Sequence, residues 1–261
     1  MGVAASQWIV GETGIGVLGD FQVLREGRWQ RARTRQLARL GALFAAAPGQ
    51  TVTRERIVEA LWADKPPSTA VNTVQVYVSQ LRSLIGSRLI ETTGHGYVMK
   101  VHPTQVDAEW FREQVLTCMD GSQALDSERY EQVRESLRQA LEVWRGEPYE
   151  DLRDGAIQAR RSELKELHER AIELFLEVSL AIANNPREIG EVVAAARGQV
   201  ARQPLRERGH EILIRALVSE NDRAQAAHAY RHAVDVFAEQ AGVTPSPRLR
   251  RAIDPVVTHK A

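Results

Sequence analysis

Residues 66–85 read PPSTAVNTVQVYVSQLRSLI, a segment whose two helical faces differ in chemistry. Apolar side chains recur every three or four residues along one face, at Val74, Val78, Leu81 and Ile85. This spacing predicts a helix with a stripe buried in a core. The opposite face carries amides, hydroxyls and one small apolar group: Asn72, Gln75, Val76, Ser79 and Ser83, with Gln80 and Arg82 at its edges.

The weakly charged face of this segment is typical of a helix that reads DNA. Amides and hydroxyls can hydrogen-bond to base edges in the major groove, a small apolar side chain can meet a thymine methyl group, and an arginine can reach phosphate. We therefore interpret the segment as a DNA recognition helix. An ordinary surface helix with few charges fits these residues equally well, so the neighbouring sequence decides between the two.

Charge is distributed unevenly along the 261 residues, although Lys plus Arg and Asp plus Glu each count 34. Residues 14–103 hold twelve Lys/Arg and six Asp/Glu, so the rest of the chain holds 22 and 28. A basic part is therefore joined to an acidic part, as expected if only the first meets phosphate. The length favours two domains, which we place at residues 1–103 and 104–261.

The elements predicted around the recognition helix follow the order of a winged helix-turn-helix. Two short β-rich runs end in a hairpin turn at residues 25–27, and two helices follow, the second beginning after a Thr53 N-cap. Downstream of the recognition helix, two strands flank a turn that contains Thr93 and His95. The predicted spans are strands at 15–19, 21–24, 88–92 and 96–101, and helices at 33–47, 53–62 and 66–85.

After residue 106 the sequence becomes rich in Ala, Leu, Glu and Arg and predicts long helices with short breaks. Paired helices of this length, repeated every ~34 residues, are typical of tetratricopeptide-like arrays. The predicted spans are 106–119, 127–145, 154–184, 187–202, 205–219, 222–240 and 247–254. The fold class is thus mostly α with small β: a winged helix-turn-helix, followed by an all-α tetratricopeptide-like array.

Signals for catalysis, metal binding or membrane insertion are lacking in the sequence. The single cysteine, Cys118, cannot form an internal disulfide, and no Cys/His grouping has zinc spacing. No apolar stretch approaches the ~20 residues of a membrane span, and residues 1–13 do not have the form of a signal peptide. We expect a cytoplasmic protein that is not an enzyme and binds no metal or cofactor.

Seven motifs in a fixed order carry a resemblance that is more specific than the elements alone. They are IGVLGD (15–20), VTRERIVEALW (52–62), PPSTAVNTVQVYVSQLR (66–82), GHGY (94–97), LEVWRGEP (141–148), QPLRER (203–208) and RAQAAHAY (223–230). Together they resemble the Streptomyces antibiotic regulatory protein family over about residues 14–255. The resemblance implies an OmpR-type winged helix followed by a bacterial transcriptional activator domain.

The resemblance also implies roles for single residues. In related response-regulator winged helices, the positions that match Gln75, Val76, Ser79 and Gln80 face bases. Those that match Trp62, Asn72, Thr73 and Arg82 face the phosphate backbone. Related wings often carry an arginine that enters the minor groove, whereas the matching position here is Thr93, with His95 nearby. We therefore expect little minor-groove reading by this wing.

Three arginines at the approach to the first helix, Arg31, Arg33 and Arg35, depart from the family pattern. They are open to two interpretations, as additional phosphate contacts or as solvated charge.

The function implied by the resemblance is sequence-specific activation of transcription at a secondary-metabolite (antibiotic) biosynthesis gene cluster. The protein would bind direct repeats in double-stranded promoter DNA as a dimer and recruit RNA polymerase holoenzyme. Two alternatives stay open. The helical array could be a scaffold or ligand-sensing module with the winged helix as a tether, or the protein could be a DNA-binding repressor, which shares every sequence feature with an activator.

Overall fold

The computed structural model describes residues 13–63, 65–120, 127–152 and 155–257. Residues 1–13, which were predicted not to form a signal peptide, lie almost entirely outside these ranges. The described residues form two compact units, and each is presented by itself. Unit 1 comprises the chain up to Cys118 together with Arg138–His168, and unit 2 comprises Met119–Leu137 together with the chain from Glu169 onward.

Unit 1 begins with a three-stranded antiparallel sheet of β1 (Thr13–Gly16), β2 (Gln22–Arg25) and β3 (Arg28–Arg31), in that order. The predicted hairpin turn is confirmed: Glu26 and Gly27 both have positive φ, 53° and 73°, as a tight two-residue turn between twisted strands requires. The strand after the turn was not predicted, since its sequence RWQR lacks an alternating apolar pattern.

Three helices follow: α1 (Arg35–Ala45), α2 (Arg54–Trp62) and α3 (Ala70–Ile85). The hydroxyl of Thr53 accepts a hydrogen bond from the backbone N–H of Arg56 at 3.2 Å, which confirms it as the N-cap of α2. Thr34 caps α1 in the same way through the N–H of Leu37. Both caps satisfy a backbone donor that the first helical turn leaves unpaired.

A second three-stranded sheet contains β4 (Thr51–Thr53), β5 (Ile90–Thr92) and β6 (Gly96–Met99), in the order β4, β6, β5. The predicted β5–β6 hairpin is confirmed, and we call it the wing. The pairing of β4 with β6 was not predicted. Gly96 permits this pairing, because a Cβ atom there would lie 2.0 Å from the carbonyl oxygen of Val52.

Unit 1 also contains α4 (Asp107–Asp120) up to Cys118 and parts of α5 (Ser127–Glu142) and α6 (Gln158–Ile182). The carboxylate of Asp107, 1% exposed, accepts hydrogen bonds from the N–H groups of Val17 (2.8 Å) and Leu18 (3.2 Å) and from the guanidinium of Arg145 (2.6 Å). Burial raises the pKa of Asp107 against the opposing effect of Arg145. This buried group ties the β1 end of the chain to α4.

Unit 2 contains helices only among its described residues: the remaining parts of α4, α5 and α6, with α7 (Pro186–Arg202), α8 (Glu207–Ser219), α9 (Arg223–Ala241) and α10 (Pro247–Val257). Ala and branched aliphatic side chains of these helices form one apolar core, including Ala196, Ile212, Leu217, Ala226 and Leu249. The predicted helical array is confirmed, with boundaries within a few residues of those expected from periodicity.

No helix in the described part of the chain is long and apolar enough to cross a membrane. Nor does any group of three His, Cys, Asp or Glu side chains in that part form a metal-binding cluster.

Candidate nucleic-acid interface

The two faces of α3 have the burial that its sequence predicts. Val74, Val78, Leu81 and Ile85 are at most 1% exposed, so the apolar stripe lies in the core of unit 1. The opposite face is open to solvent, and Val76, its one apolar member, is 54% exposed. The other exposed side chains of this face are Asn72, Gln75, Ser79, Gln80 and Ser83.

The amides on this exposed face are available to a ligand. Within the described residues, the side-chain amides of Asn72, Gln75 and Gln80 make no hydrogen bond to other parts of the chain. At 100° per residue, Gln75 lies on the same flank of α3 as Arg82, and Gln80 lies on the opposite flank. The face therefore presents unpaired amide donors and acceptors on both sides of Val76 and Ser79, the groups that can pair with base edges.

Arg82 connects α3 to the wing. Its Nε donates to the carbonyl oxygen of Ile90 at 3.0 Å, and its Nη2 donates to the hydroxyl of Thr92 at 2.9 Å. The sequence indicated only a phosphate contact for this residue. The structure gives its guanidinium a second role, since these two bonds hold β5 against the helix that precedes it.

The turn of the wing is closed by hydrogen bonds of its own. The N–H of Thr93 donates to the carbonyl oxygen of Gly96 at 2.9 Å, and the hydroxyl of Thr93 accepts from the N–H of Gly96 at 3.1 Å. The Thr93 side chain therefore shapes the turn, whereas His95 is exposed.

Arg54, at the start of α2, fixes the wing from the other side and was not predicted from the sequence. Its N–H donates to the carbonyl oxygen of His95 at 3.2 Å, and its Nη1 donates to that of Gly94 at 3.1 Å. Its guanidinium also lies 5.8 Å from the centre of the Tyr97 ring. An arginine directly after a Thr N-cap carries no pattern that would have signalled this contact, because its partners lie about 40 residues away.

Two of the residues matched to backbone contacts, Trp62 and Thr73, already make contacts within unit 1. The half-buried Trp62 stacks on Tyr77 of α3, with ring centres 6.4 Å apart and planes 23° from parallel. Thr73 donates its hydroxyl hydrogen to the carbonyl oxygen of Thr69 at 3.0 Å. Its oxygen can still accept a hydrogen bond, but its donor is already used within the helix.

A cleft of about 420 Å³ lies beside the Gln80 flank of α3. Gln80 and Ser83 line one side, and Arg31 and Arg33, from the end of β3 and the residues after it, line the other. Both arginines are exposed; Arg31 has only a 3.6 Å ion pair with the exposed Asp20. Two arginines that the sequence left between two interpretations thus lie next to the uncharged face of α3.

Sequence profiles of known domains match both parts of the chain. The profile of the bacterial transcriptional activator domain matches residues 106–256, more than half of the chain, and that of the C-terminal domain of transcriptional regulatory proteins matches residues 31–99. The regulatory protein AfsR of Streptomyces coelicolor is 28% identical over 249 residues, and the regulatory protein DnrI of Streptomyces peucetius is 25% identical over 248 residues.

The chain belongs to the Streptomyces antibiotic regulatory protein family. It has both of the domains that the motifs implied. The alignment with DnrI covers 90% of this chain and 89% of DnrI. The alignment with AfsR covers 95% of this chain but only 24% of AfsR, so the chain spans about a quarter of that relative.

A solved structure shares the fold. Mycobacterium tuberculosis EmbR, determined in complex with a low-affinity phosphopeptide, superposes with a TM-score of 0.81 at 24% sequence identity. The match covers 96% of this chain and 66% of the EmbR chain. The OmpR-type winged helix followed by a helical array is therefore a fold already seen in a solved structure.

Proposed function

We propose that this protein is a sequence-specific DNA-binding activator of a secondary-metabolite (antibiotic) biosynthesis gene cluster. Residues 1–103 would bind direct repeats near promoters as a dimer, and residues 104–261 would help recruit RNA polymerase holoenzyme. The observation that carries the proposal is the exposed, uncharged face of α3, with its unpaired amides beside the wing. The family membership, with Streptomyces relatives named as regulatory proteins, supports the biological setting.

Reading of bases is assigned to the centre and flanks of α3. The amides of Gln75 and Gln80 can each pair with two atoms of an adenine edge, and the exposed side chain of Val76 can contact a thymine methyl group. Ser79 lies between them and can donate or accept. Each group discriminates because a mismatched base leaves a polar atom without its partner.

Attraction to the DNA backbone is assigned to the surrounding residues. Arg31 and Arg33 lie beside the Gln80 flank and Arg82 lies on the Gln75 flank, so positive charge borders the reading face on both sides. Asn72, near the start of α3, and the indole N–H of Trp62, at the end of α2, add neutral donors. Contacts of this kind place the helix but carry no sequence information.

The wing is assigned a positioning role. Thr93 closes the turn and Arg82 and Arg54 hold the hairpin, so the described side chains of the turn offer no arginine to the minor groove. Specificity therefore rests on α3.

Binding of the purified protein to DNA from the promoters beside its own gene tests this proposal. A gel-shift titration at moderate salt should show tighter binding to those promoters than to random DNA of equal length. In vitro transcription with RNA polymerase holoenzyme should then rise when the protein is added. Equal binding to both DNAs would favour a scaffold or ligand-sensing role, and reduced transcription would make the protein a repressor.

A further inference from the structure

An open cleft of about 730 Å³ lies between α8 and α10 in unit 2. Arg215 and Val218 line the α8 side, and Arg248, Arg251 and Ala252 line the α10 side. The lining residues of α10 extend from Arg248 to Pro255, which at ~1.5 Å per residue gives a length of roughly 10 Å. Three residues of an extended peptide cover about the same length.

The side chains that line this cleft carry more positive than negative charge. Glu211, 8% exposed, is the one acidic side chain among the lining residues, against three arginines. Its carboxylate is already paired with Arg208 at 2.6 Å, and Arg208 also pairs with Glu177 of α6. Four arginines, Arg208, Arg215, Arg248 and Arg251, thus face two carboxylates, which leaves an excess of positive charge at the mouth of the cleft.

The three lining arginines are poorly satisfied within unit 2. Arg248 and Arg215 lie 3.4 Å and 3.9 Å from Glu211, and their side chains are 60% and 47% exposed. Because these two guanidiniums reach into solvent and the Glu211 carboxylate keeps its shorter contact with Arg208, either of them can turn to another anion at small cost. Arg251 is exposed and has no ion pair among the described residues.

We propose that the cleft between α8 and α10 docks a short acidic peptide segment of a partner protein. Guanidinium groups bind carboxylates through two parallel N–H···O bonds, and the three arginines offer this geometry on both sides of the cleft. The side chains of Val218 and Ala252 supply apolar surface for one small aliphatic side chain of that segment. The site thus favours glutamates or aspartates that flank an aliphatic residue.

The cleft is locally basic in a part of the chain that is acidic overall. Outside residues 14–103 the chain holds 22 Lys/Arg against 28 Asp/Glu, so a local excess of arginine runs against the trend of its surroundings. An acidic partner would be repelled elsewhere on such a surface and attracted here. This inference concerns unit 2 and is independent of the proposed reading of DNA by α3.

Photo-crosslinking of the full chain provides a test that resolves the site. The probe is a hexapeptide of four glutamates, one leucine and one benzoylphenylalanine, and the control probe has glutamine in place of every glutamate. Crosslinked residues are identified by mass spectrometry, so peptide bound to the basic residues 14–103 is counted separately. The variant is Arg215→Ala/Arg251→Ala, and the matched control is Arg250→Ala, an exposed arginine of α10 outside the cleft lining.

The glutamate probe should crosslink to residues 215–219 and 248–255, and this yield should fall at least about tenfold in Arg215→Ala/Arg251→Ala and with the glutamine probe. The yield with the glutamate probe should be unchanged in Arg250→Ala. Crosslinks confined to residues 14–103, an equal yield with the glutamine probe, or an equal loss in Arg250→Ala would each overturn the proposal. Because the glutamine probe is tested on the unmodified protein, the result does not depend on the folding of a variant.

Discussion

The exposed face of α3 and the cleft between α8 and α10 both involve arginine, but they place it differently. On α3 the centre is uncharged, and Arg31, Arg33 and Arg82 lie at its edges. In the cleft the arginines are themselves the lining, around a buried glutamate. A charged centre attracts an anion without reading its identity, whereas neutral amides distinguish one hydrogen-bonding pattern from another. The face of α3 is therefore suited to recognise a base sequence, and the cleft is suited to bind negative charge.

The two units can be followed separately in one experiment, because the four tryptophans among the described residues, Trp29, Trp62, Trp110 and Trp144, all lie in unit 1. The fluorescence of these four side chains therefore reports on unit 1. Far-UV circular dichroism reports on the helices of both units. Variants in one unit can thus show whether a change there affects only the surface of that unit.

The largest effect is expected for Asp107→Ala. The change leaves the N–H groups of Val17 and Leu18 and the guanidinium of Arg145 without their acceptor, in a buried site. Loss of one partner from such a pair costs about 3 kcal/mol or more. Urea unfolding followed by tryptophan fluorescence should show a midpoint shifted to lower urea.

Asp20→Ala is the matched control for this variant, because Asp20 makes only an exposed 3.6 Å ion pair with Arg31. It should change the free energy of unfolding by less than about 1 kcal/mol. Equal shifts for the two variants would contradict the role given to the buried Asp107 carboxylate.

A smaller but more local effect is expected for Gly96→Ala. The new methyl group would lie 2.0 Å from the carbonyl oxygen of Val52, so β4 and β6 must separate. We expect a loss of about 2–3 kcal/mol in stability, together with weaker DNA binding, while peptide crosslinking to α8 and α10 stays unchanged. Unfolding curves and gel shifts measure the first two.

Gly94→Ala serves as the control in the same turn, because a methyl group there meets no atom within 4 Å. It should fold and bind DNA as the unmodified protein does. If Gly94→Ala were as damaging as Gly96→Ala, the close approach of β4 to β6 would not be the cause.

The smallest effect concerns unit 2 and its pH dependence. Burial lowers the pKa of His210, and the nearby Glu207 opposes this shift. The Nε2 of His210 donates to the carbonyl oxygen of Pro204 at 2.9 Å, and its ring lies next to those of His232 and Phe237. The folded state therefore favours the neutral imidazole. Its contribution to stability is present above the unfolded pKa of ~6.5 and is lost as pH falls through the lowered folded value.

Circular dichroism unfolding at about pH 7.5 and about pH 5 tests this dependence. His210→Gln, which keeps a donor for Pro204, should lose less stability on acidification than the unmodified protein. His228→Gln, a change at an exposed histidine of α9, should leave the pH dependence as it was. An unaltered pH response in His210→Gln would show that other groups set it.

The helices of this protein were predictable because their periodic apolar residues are local signals. The stripe of α3, the Thr53 cap and the seven α-helices that the structure describes after residue 106 all follow from local signals within one segment. The uncharged face of α3 could likewise be found from sequence, because burial of one side of a helix fixes the exposure of the other.

Features that depend on distant partners were missed. Strand β4 has three residues and exists because β6, more than 40 residues later, pairs with it. Strand β3 is too polar to show an alternating pattern. The bonds from Arg82 and Arg54 to the wing and the cleft at Gln80 depend on tertiary contacts, so no local spacing indicates them.

The most direct test of the central claim, that α3 reads DNA sequence, is the ratio of affinities for a promoter site and random DNA in Gln80→Ala. Gln50→Ala, at an exposed glutamine before β4, is the control. Fluorescence anisotropy at fixed salt should show that Gln80→Ala loses about 1–3 kcal/mol of discrimination while its affinity for random DNA hardly changes. Gln50→Ala should keep the full ratio. Equal losses on both DNAs for Gln80→Ala would contradict the assignment of α3 as the reading helix.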